Sequence, residues 1–222
     1  MIPLRDTQRS SSAPVITTLL IAVNVAVFFY EISLDAFSRN HLIAAFGVIP
    51  DRLDPTTLLT SMFLHGGWFH LIGNMWFLWI FGDNVEDTLG HGRYLLFYLL
   101  CGVAAALTHV LLNPYSRIPT IGASGAIAGV MGAYLVKFPH ARILTLIPIF
   151  IFITMYELPA SLVLVYWFIL QLFSGVGSVA YSQLSGGGVA WFAHIGGFIT
   201  GMLLIKIFRT RGLYQRRRDL HW

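Results

Sequence analysis

The sequence has little charge and almost no cysteine. Of its 222 residues, 11% are charged, and Cys101 is the single cysteine. One cysteine excludes a disulfide framework and a thiolate-bound metal cluster. The low charge accompanies 56% hydrophobic residues and a mean hydropathy of +0.72, which is more apolar surface than a water-soluble core can bury. We therefore expect an integral membrane protein.

Six apolar runs have roughly the length needed to cross about 30 Å of hydrocarbon at about 1.5 Å per residue. They cover approximately residues 14–32, 68–83, 94–112, 121–138, 159–175 and 190–208. The first run is too long for a cleaved secretory signal, so we interpret it as an uncleaved span. The sequence thus predicts an all-α membrane protein, a polytopic bundle of six transmembrane helices.

The distribution of basic residues predicts the orientation of this bundle. With six spans, eleven of the fourteen Lys and Arg residues share one side, and Arg39, Arg52 and Arg117 lie on the other. The positive-inside rule then places both termini in the cytoplasm. A seventh span would put the basic tail outside, so we interpret residues 144–157 as an interfacial or re-entrant segment.

These boundaries divide the chain into three parts. Residues 1–13 form a cytoplasmic N-terminal segment, residues 14–208 the six-span membrane domain, and residues 209–222 a basic cytoplasmic tail. The tail follows a span directly, which indicates an orientation signal and a contact for anionic membrane lipid. Neither a Gly-rich phosphate loop nor an aromatic-interleaved basic face accompanies it, so we expect no nucleic-acid partner.

Polar residues recur near the outer starts of spans two, four and six. Span two opens with HGGWFHLIGN, which puts His70 and Asn74 on one helix face. Span four opens with IGAS, so Ser124 lies in its first turn, and span six opens with AWFAHIGG, so His194 lies in its second. These four side chains would share one depth just below the outer interface, where polar groups are rare without a reason.

Small residues offer a means of bringing these side chains together. Gly125 and Gly129 form a G-x-x-x-G pair in span four, and Gly197 and Gly201 share a face of span six with His194. Such faces allow helix axes to approach closer than the usual distance of about 8 to 10 Å. Taken alone, the segment around Ser124 is explained better by this packing than by a nucleophilic serine.

The ordered set of motifs resembles the rhomboid family of intramembrane serine proteases. The matching segments are GASG with Ser124, AHIGGFITG with His194, and H-x-x-x-N with His70 and Asn74. Residues 84–98, NVEDTLGHGRYLLFY, are similar to the family's connection between spans two and three. Any single motif is weak, but their order, spacing and span count together are specific.

The resemblance covers roughly Pro55 to Phe208 and includes one departure. Ala128 stands where several rhomboids carry an aromatic residue that packs beneath the catalytic histidine. Neither catalytic group is missing, however. A catalytically inactive rhomboid-like protein, which would bind or escort membrane helices, is the alternative function, and it would be expected to lack Ser124 or His194.

The resemblance implies a Ser-His dyad that works without a carboxylate. Ser124 would be the nucleophile and His194 the base that takes its proton. The side chains of His70 and Asn74, with the backbone N–H groups of Ser124 and Ala123, would stabilise the oxyanion. The substrates would be single-span or multi-span membrane proteins. We expect no metal and no cofactor, and a location in the inner membrane of a bacterium.

Alternatives remain for several of these residues. His70 is equally well an interfacial amphipathic residue, and Asn74 a side chain that joins two helices. His65 fits a loop, and we assign it no role. The segment Ser185–Gly188 is either a mobile cap over Ser124 or a flexible connector.

Motifs of other membrane-embedded functions are missing. The sequence has no H-E-x-x-H for a zinc protease. Asp83 has no second carboxylate in a span, as an aspartyl mechanism would require. A small transporter would show repeat symmetry, and the sequence has no internal repeat.

Overall fold

The computed structural model describes residues 1–149, 152–181 and 190–210, which are mostly helical. Its eight α-helices are α1 (Val15–Ser33), α2 (Ala36–Phe46), α3 (Thr57–Thr60), α4 (Trp68–Leu89), α5 (His91–Leu112), α6 (Ser124–Lys137), α7 (Ala160–Tyr181) and α8 (Trp191–Ile207). The expected helical class is therefore confirmed, while the count of six spans and the side of each terminus stay predictions.

The six predicted apolar runs correspond to α1, α4, α5, α6, α7 and α8 in chain order. α4 continues from the predicted end at residue 83 to Leu89 because its last two turns stay buried. By length and composition, α1 and α5 are apolar enough to cross a membrane. α6, α8 and residues 160–174 of α7 are apolar but shorter.

Three strands form a small antiparallel sheet, which the sequence analysis did not predict. They are β1 (Ile2–Asp6), β2 (Arg142–Ile149) and β3 (Phe152–Pro159), in the order β1-β2-β3. Residues 144–157, interpreted from the sequence as an interfacial or re-entrant segment, thus belong mostly to a β-hairpin that pairs with the chain's first residues. Because nearly every residue of LTLIPIFIFI is apolar, the two-residue period of a strand is hidden there.

The start of α1 is held by a carboxylate from another helix. Pro14 precedes α1 and provides no side-chain cap. Glu86 of α4, which is buried, accepts hydrogen bonds from the backbone N–H groups of Ile16 and Thr17, both at 2.8 Å, and from the Thr17 hydroxyl at 2.7 Å. The first N–H groups of a helix lack intrahelical partners and carry partial positive charge, so Glu86 both satisfies and stabilises this end.

Strand β1 is attached to the helices through polar contacts near both of its ends. The Asp6 carboxylate accepts hydrogen bonds from the Tyr134 hydroxyl of α6 at 2.5 Å and from Asn84 Nδ2 of α4 at 3.0 Å. The indole N–H of Trp76 donates to the Pro3 carbonyl at 2.7 Å. Burial raises the pKa of Asp6 to about 6, although the hydrogen bond from Tyr134 acts in the opposite direction.

Helices α6 and α8 pack against each other through glycine. A Cβ atom added at Gly197 would collide with the carbonyl oxygen of Gly125, and one at Gly201 would collide with that of Gly129. Both helices advance by four residues between these two contacts, so they run parallel with their starts together. These are the four glycines named from the sequence, and their contact brings the first turn of α6 next to that of α8.

We expect Gly201→Ala to destabilise the fold by about 1 to 3 kcal/mol or more, because an added methyl group forces two closely packed backbones apart. Gly92→Ala, near the exposed start of α5, is the matched control, since a Cβ there meets nothing within 4 Å. The measurement is thermal unfolding of both variants in detergent. Equal melting temperatures for the two variants would contradict the close α6–α8 contact.

Candidate active site

Ser124 and His194 are hydrogen-bonded to each other. Ser124 is the first residue of α6, and His194 lies in the first turn of α8. The Nε2 atom of His194 is 2.7 Å from the Ser124 hydroxyl oxygen. The histidine is buried, and the serine is half-buried. This is the distance at which an imidazole can remove a hydroxyl proton.

The second ring nitrogen of His194 also has a partner. Its Nδ1 atom is 2.7 Å from the side-chain oxygen Oε1 of Gln171 in α7. Both partners of the imidazole, Ser124 and Gln171, are uncharged. The sequence analysis did not name Gln171. The available signal was its position as the one strongly polar residue in the run LVLVYWFILQLF, because such residues are rare within membrane spans.

Two tryptophans flank the imidazole of His194. The ring of Trp167 in α7 lies 5.8 Å from it at an interplanar angle of 37°, and the ring of Trp191 lies 6.2 Å away at 88°. Ala128 of α6, where several rhomboids carry an aromatic residue, is fully buried in the hydrophobic core. Aromatic contact with the histidine therefore comes from α7 and α8.

Asn74 and His70 lie in the first two turns of α4, beside a third polar residue. The amide nitrogen of Asn74 is 3.0 Å from Nε2 of His65, which is buried in the loop before α4. The backbone N–H of His65 donates to the Glu31 carboxylate at 3.0 Å. The rings of His65 and His70 meet edge to face with centroids 5.1 Å apart. His65 lies in the loop, as expected, but it also contacts a predicted site residue.

Gly122 brings the backbone before Ser124 against these side chains. It has a φ of 122°, in the region that favours glycine, and its N–H donates to the Ser61 carbonyl at 2.8 Å. A Cβ atom at Gly122 would lie 2.6 Å from Nε2 of His70 and 3.6 Å from Nδ2 of Asn74. The start of α6, with Ala123 buried beside Ser124, therefore converges with His70 and Asn74.

These side chains line one cleft of about 770 Å³. His70, Asn74, Ser124 and His194 form its polar part, and residues such as Phe77, Met131 and Trp167 form its apolar part. The cleft is large enough for several residues of an extended peptide. The predicted cap, Ser185–Gly188, lies outside the described residues.

The site thus places a hydroxyl and an imidazole at hydrogen-bonding distance within a helical bundle of membrane-like composition. The chain's residues 52–211 match the Rhomboid domain. The chain therefore belongs to the rhomboid family, whose members are integral membrane proteins.

Relatives from bacteria, fungi and plants are similar to this chain. Rhomboid protease GluP of Bacillus subtilis (strain 168) is 38% identical over 126 residues, which are 55% of this chain and 24% of that protein. Rhomboid protein 1, mitochondrial, of Saccharomyces cerevisiae is 28% identical over 207 residues, 90% of this chain and 55% of that protein. RHOMBOID-like protein 6, mitochondrial, of Arabidopsis thaliana is 34% identical over 147 residues, 66% of this chain and 41% of that protein. The matches thus span between a quarter and just over half of these relatives.

Proposed function

We propose that this protein is an intramembrane serine endopeptidase, which hydrolyses peptide bonds in or near the transmembrane segments of other membrane proteins. The observation that carries the proposal is the 2.7 Å contact between Nε2 of His194 and the hydroxyl of Ser124. Membership of the rhomboid family supports it, and one relative is named as a protease. The alternative, an inactive rhomboid-like protein, has no need of a hydroxyl and an imidazole at reacting distance.

The reaction follows from the geometry of the dyad. His194 takes the Ser124 proton as the serine oxygen attacks the scissile carbonyl carbon. The resulting imidazolium then gives this proton to the leaving amine, and an acyl-enzyme ester remains on Ser124. A water molecule, activated by the same imidazole, attacks the ester and releases the new carboxyl end. Ser124 regains its proton from His194, so the enzyme is unchanged.

The oxyanion of each tetrahedral intermediate needs donors that are already in place. The side chains of Asn74 and His70 and the backbone N–H groups of Ser124 and Ala123 serve as these donors. The support is that the α6 start converges with the two side chains, and that the first N–H groups of a helix lack intrahelical partners. One N–H of the Asn74 amide faces His65, and its second N–H remains for the oxyanion.

The six longer helices act as membrane spans in this proposal, with both termini in the cytoplasm. Residues 14–208 form the membrane domain, and the segments 1–13 and 209–222 flank it on the cytoplasmic side. The parallel arrangement of α6 and α8 supports this arrangement of spans, because it requires the end of α8 and the loop before α6 to lie on opposite sides. The positive-inside rule supports the cytoplasmic orientation of the termini. The membrane is the inner membrane of a bacterium, and the basic tail contacts its anionic lipid.

The substrates are single-span or multi-span membrane proteins. The cleft combines a polar end at the dyad with an apolar remainder, which suits a segment that leaves the membrane. Peptide bonds inside a helix are shielded by their hydrogen bonds, so the cleaved segment unwinds locally. Small or helix-destabilising residues near the cleaved bond lower the cost of this step.

We expect Ser124→Ala and His194→Ala each to abolish cleavage of a transmembrane substrate and labelling by a serine-directed fluorophosphonate, because each removes one half of the dyad. Ser124→Ala should keep the melting temperature close to that of the wild type, whereas His194→Ala should still fold but melt at a lower temperature, because it leaves Gln171 without its buried partner. The measurement is cleavage of a reconstituted substrate by the full chain. Turnover by a folded Ser124→Ala variant would rule out the mechanism.

We expect Asn74→Ala to lower kcat about 10- to 1000-fold, the scale for losing one oxyanion donor. Its resting hydrogen bond to His65 adds a stability loss of about 0.5 to 1.5 kcal/mol. Asn24→Ala is the matched control, since Asn24 is also a buried helical amide but its Nδ2 donates to the Leu20 carbonyl of its own helix. Turnover and unfolding are measured on the same preparations. Normal turnover per folded Asn74→Ala molecule would assign Asn74 to helix packing alone.

We expect a reporter fused after Trp222 to be cytoplasmic and one inserted at Tyr115, an exposed residue between α5 and α6, to be external. The reason is the positive-inside rule combined with the parallel course of α6 and α8. The measurement uses two reporters at each position, one active only in the cytoplasm and the other active only outside it. If both reporters lay on the same side, the proposed arrangement of spans would be wrong.

A further inference from the structure

We propose that Gln171 is a positioning residue for His194, which selects the tautomer of the imidazole that can accept the Ser124 proton. This inference rests on the proposed function, because it assigns His194 as the base. It adds a residue from α7 to a site that the sequence analysis built from α4, α6 and α8. The observation behind it is the 2.7 Å contact between Nδ1 of His194 and Oε1 of Gln171.

The hydrogen-bond donors and acceptors of the imidazole ring decide which tautomer of His194 is present. A neutral imidazole carries one N–H, on either Nδ1 or Nε2. To accept the hydroxyl proton of Ser124, Nε2 must be without a proton, so Nδ1 carries it and needs an acceptor. The carbonyl oxygen of Gln171 is that acceptor. In the other tautomer, Nε2–H would point at the serine, and the base would be lost.

Burial strengthens the preference for the tautomer with the proton on Nδ1. The exposed fraction is 7% for Gln171 and 8% for His194, so little water is available to replace either hydrogen bond. A buried donor or acceptor without a partner costs about 1 to 3 kcal/mol. The tautomer with Nδ1–H satisfies Gln171 and His194 together, whereas the other leaves both Nδ1 and the amide oxygen unsatisfied.

Gln171 also stabilises His194 when the imidazole has taken the proton of Ser124. Both ring nitrogens are then donors, and the carbonyl dipole of Gln171 stabilises the positive charge at Nδ1. In the Ser-His-Asp triad of soluble proteases an aspartate does this, but a carboxylate at a membrane-buried position is costly. A neutral amide supplies the acceptor without burying a charge.

The position of Gln171 on α7 supports a role at the ring rather than a general contact between helices. Trp167 lies four residues earlier on the same face of α7 and packs against the same imidazole. α7 therefore contacts the ring of His194 both at one edge and on one face. Together these contacts fix the tautomer and the orientation of the ring.

The test compares Gln171→Leu with Gln171→Glu in the full chain. Leu has a similar size and no acceptor, whereas Glu keeps an acceptor oxygen at the same length. We expect Gln171→Leu to lower kcat about 10- to 100-fold with KM changed by less than about twofold, because ground-state binding is untouched. We expect Gln171→Glu to keep kcat per folded molecule within about threefold of the wild type, although a buried carboxyl group lowers its melting temperature. Leu172→Met, an exposed neighbour on α7, is the control and should match the wild type.

A second measurement reads the tautomer directly. Ring nitrogen-15 NMR of histidine-labelled protein, with the His194→Ala spectrum for assignment, should show the Nδ1–H form in the wild type. The same signal should show a mixture of tautomers in Gln171→Leu. A contact that only joins α7 to α8 would change the melting temperature and leave this signal in place.

The outcomes separate the two proposals. Wild-type turnover per folded molecule in Gln171→Leu, or an unchanged His194 tautomer in that variant, would overturn the role of Gln171 while leaving the protease intact. A wild-type chain that neither cleaves a transmembrane substrate nor reacts with fluorophosphonate would overturn the proposed function. The tautomer measurement would still report whether Gln171 controls the ring.

Discussion

The close contact of α6 and α8 is the constraint on which the rest of the site depends. Ser124 and His194 are 70 residues apart in the chain. Their side chains are short compared with the normal distance between two packed helix axes. Only because Gly125 and Gly129 face Gly197 and Gly201 without side chains do the two reach each other. Helix packing and a Ser124–His194 pair are therefore not competing explanations of the small residues, since the close packing is what lets the hydroxyl reach the imidazole.

Around this contact, two chains of polar contacts run through the site, one ending on Ser124 and the other on Asn74. Gln171 contacts His194, which contacts Ser124. Glu31 accepts from the backbone of His65, which contacts Asn74. Each chain crosses from a neighbouring helix or loop to the start of a central helix. A buried polar group is stable only when it is paired, so these chains fix the geometry of the site.

The sequence predicted the long helices and named Ser124 and His194, whose side chains the structure brings within hydrogen-bonding distance, because both predictions depend on local patterns. Apolar runs determine helices in a membrane, and GASG or AHIGG is recognisable without its partner. Gln171 and His65 were missed because their significance comes from contacts with residues 23 and 9 positions away that no period predicts. The β-hairpin was missed because the alternation of a strand cannot be seen where both of its faces are apolar. The sequence of β1 alone shows no strand pattern, so β1 is recognised only from its pairing with β2.

Pairing of β1 with β2 sets an order of events during synthesis. Ile2 is synthesised well before its partner, Leu146, which follows more than a hundred residues later. In the interval α1, α4, α5 and α6 are all completed. The N-terminal strand must therefore wait, with its backbone hydrogen bonds made to water, until the hairpin exists. This sheet can close only after α6 has been made, and it joins the segment before α1 to the segment between α6 and α7.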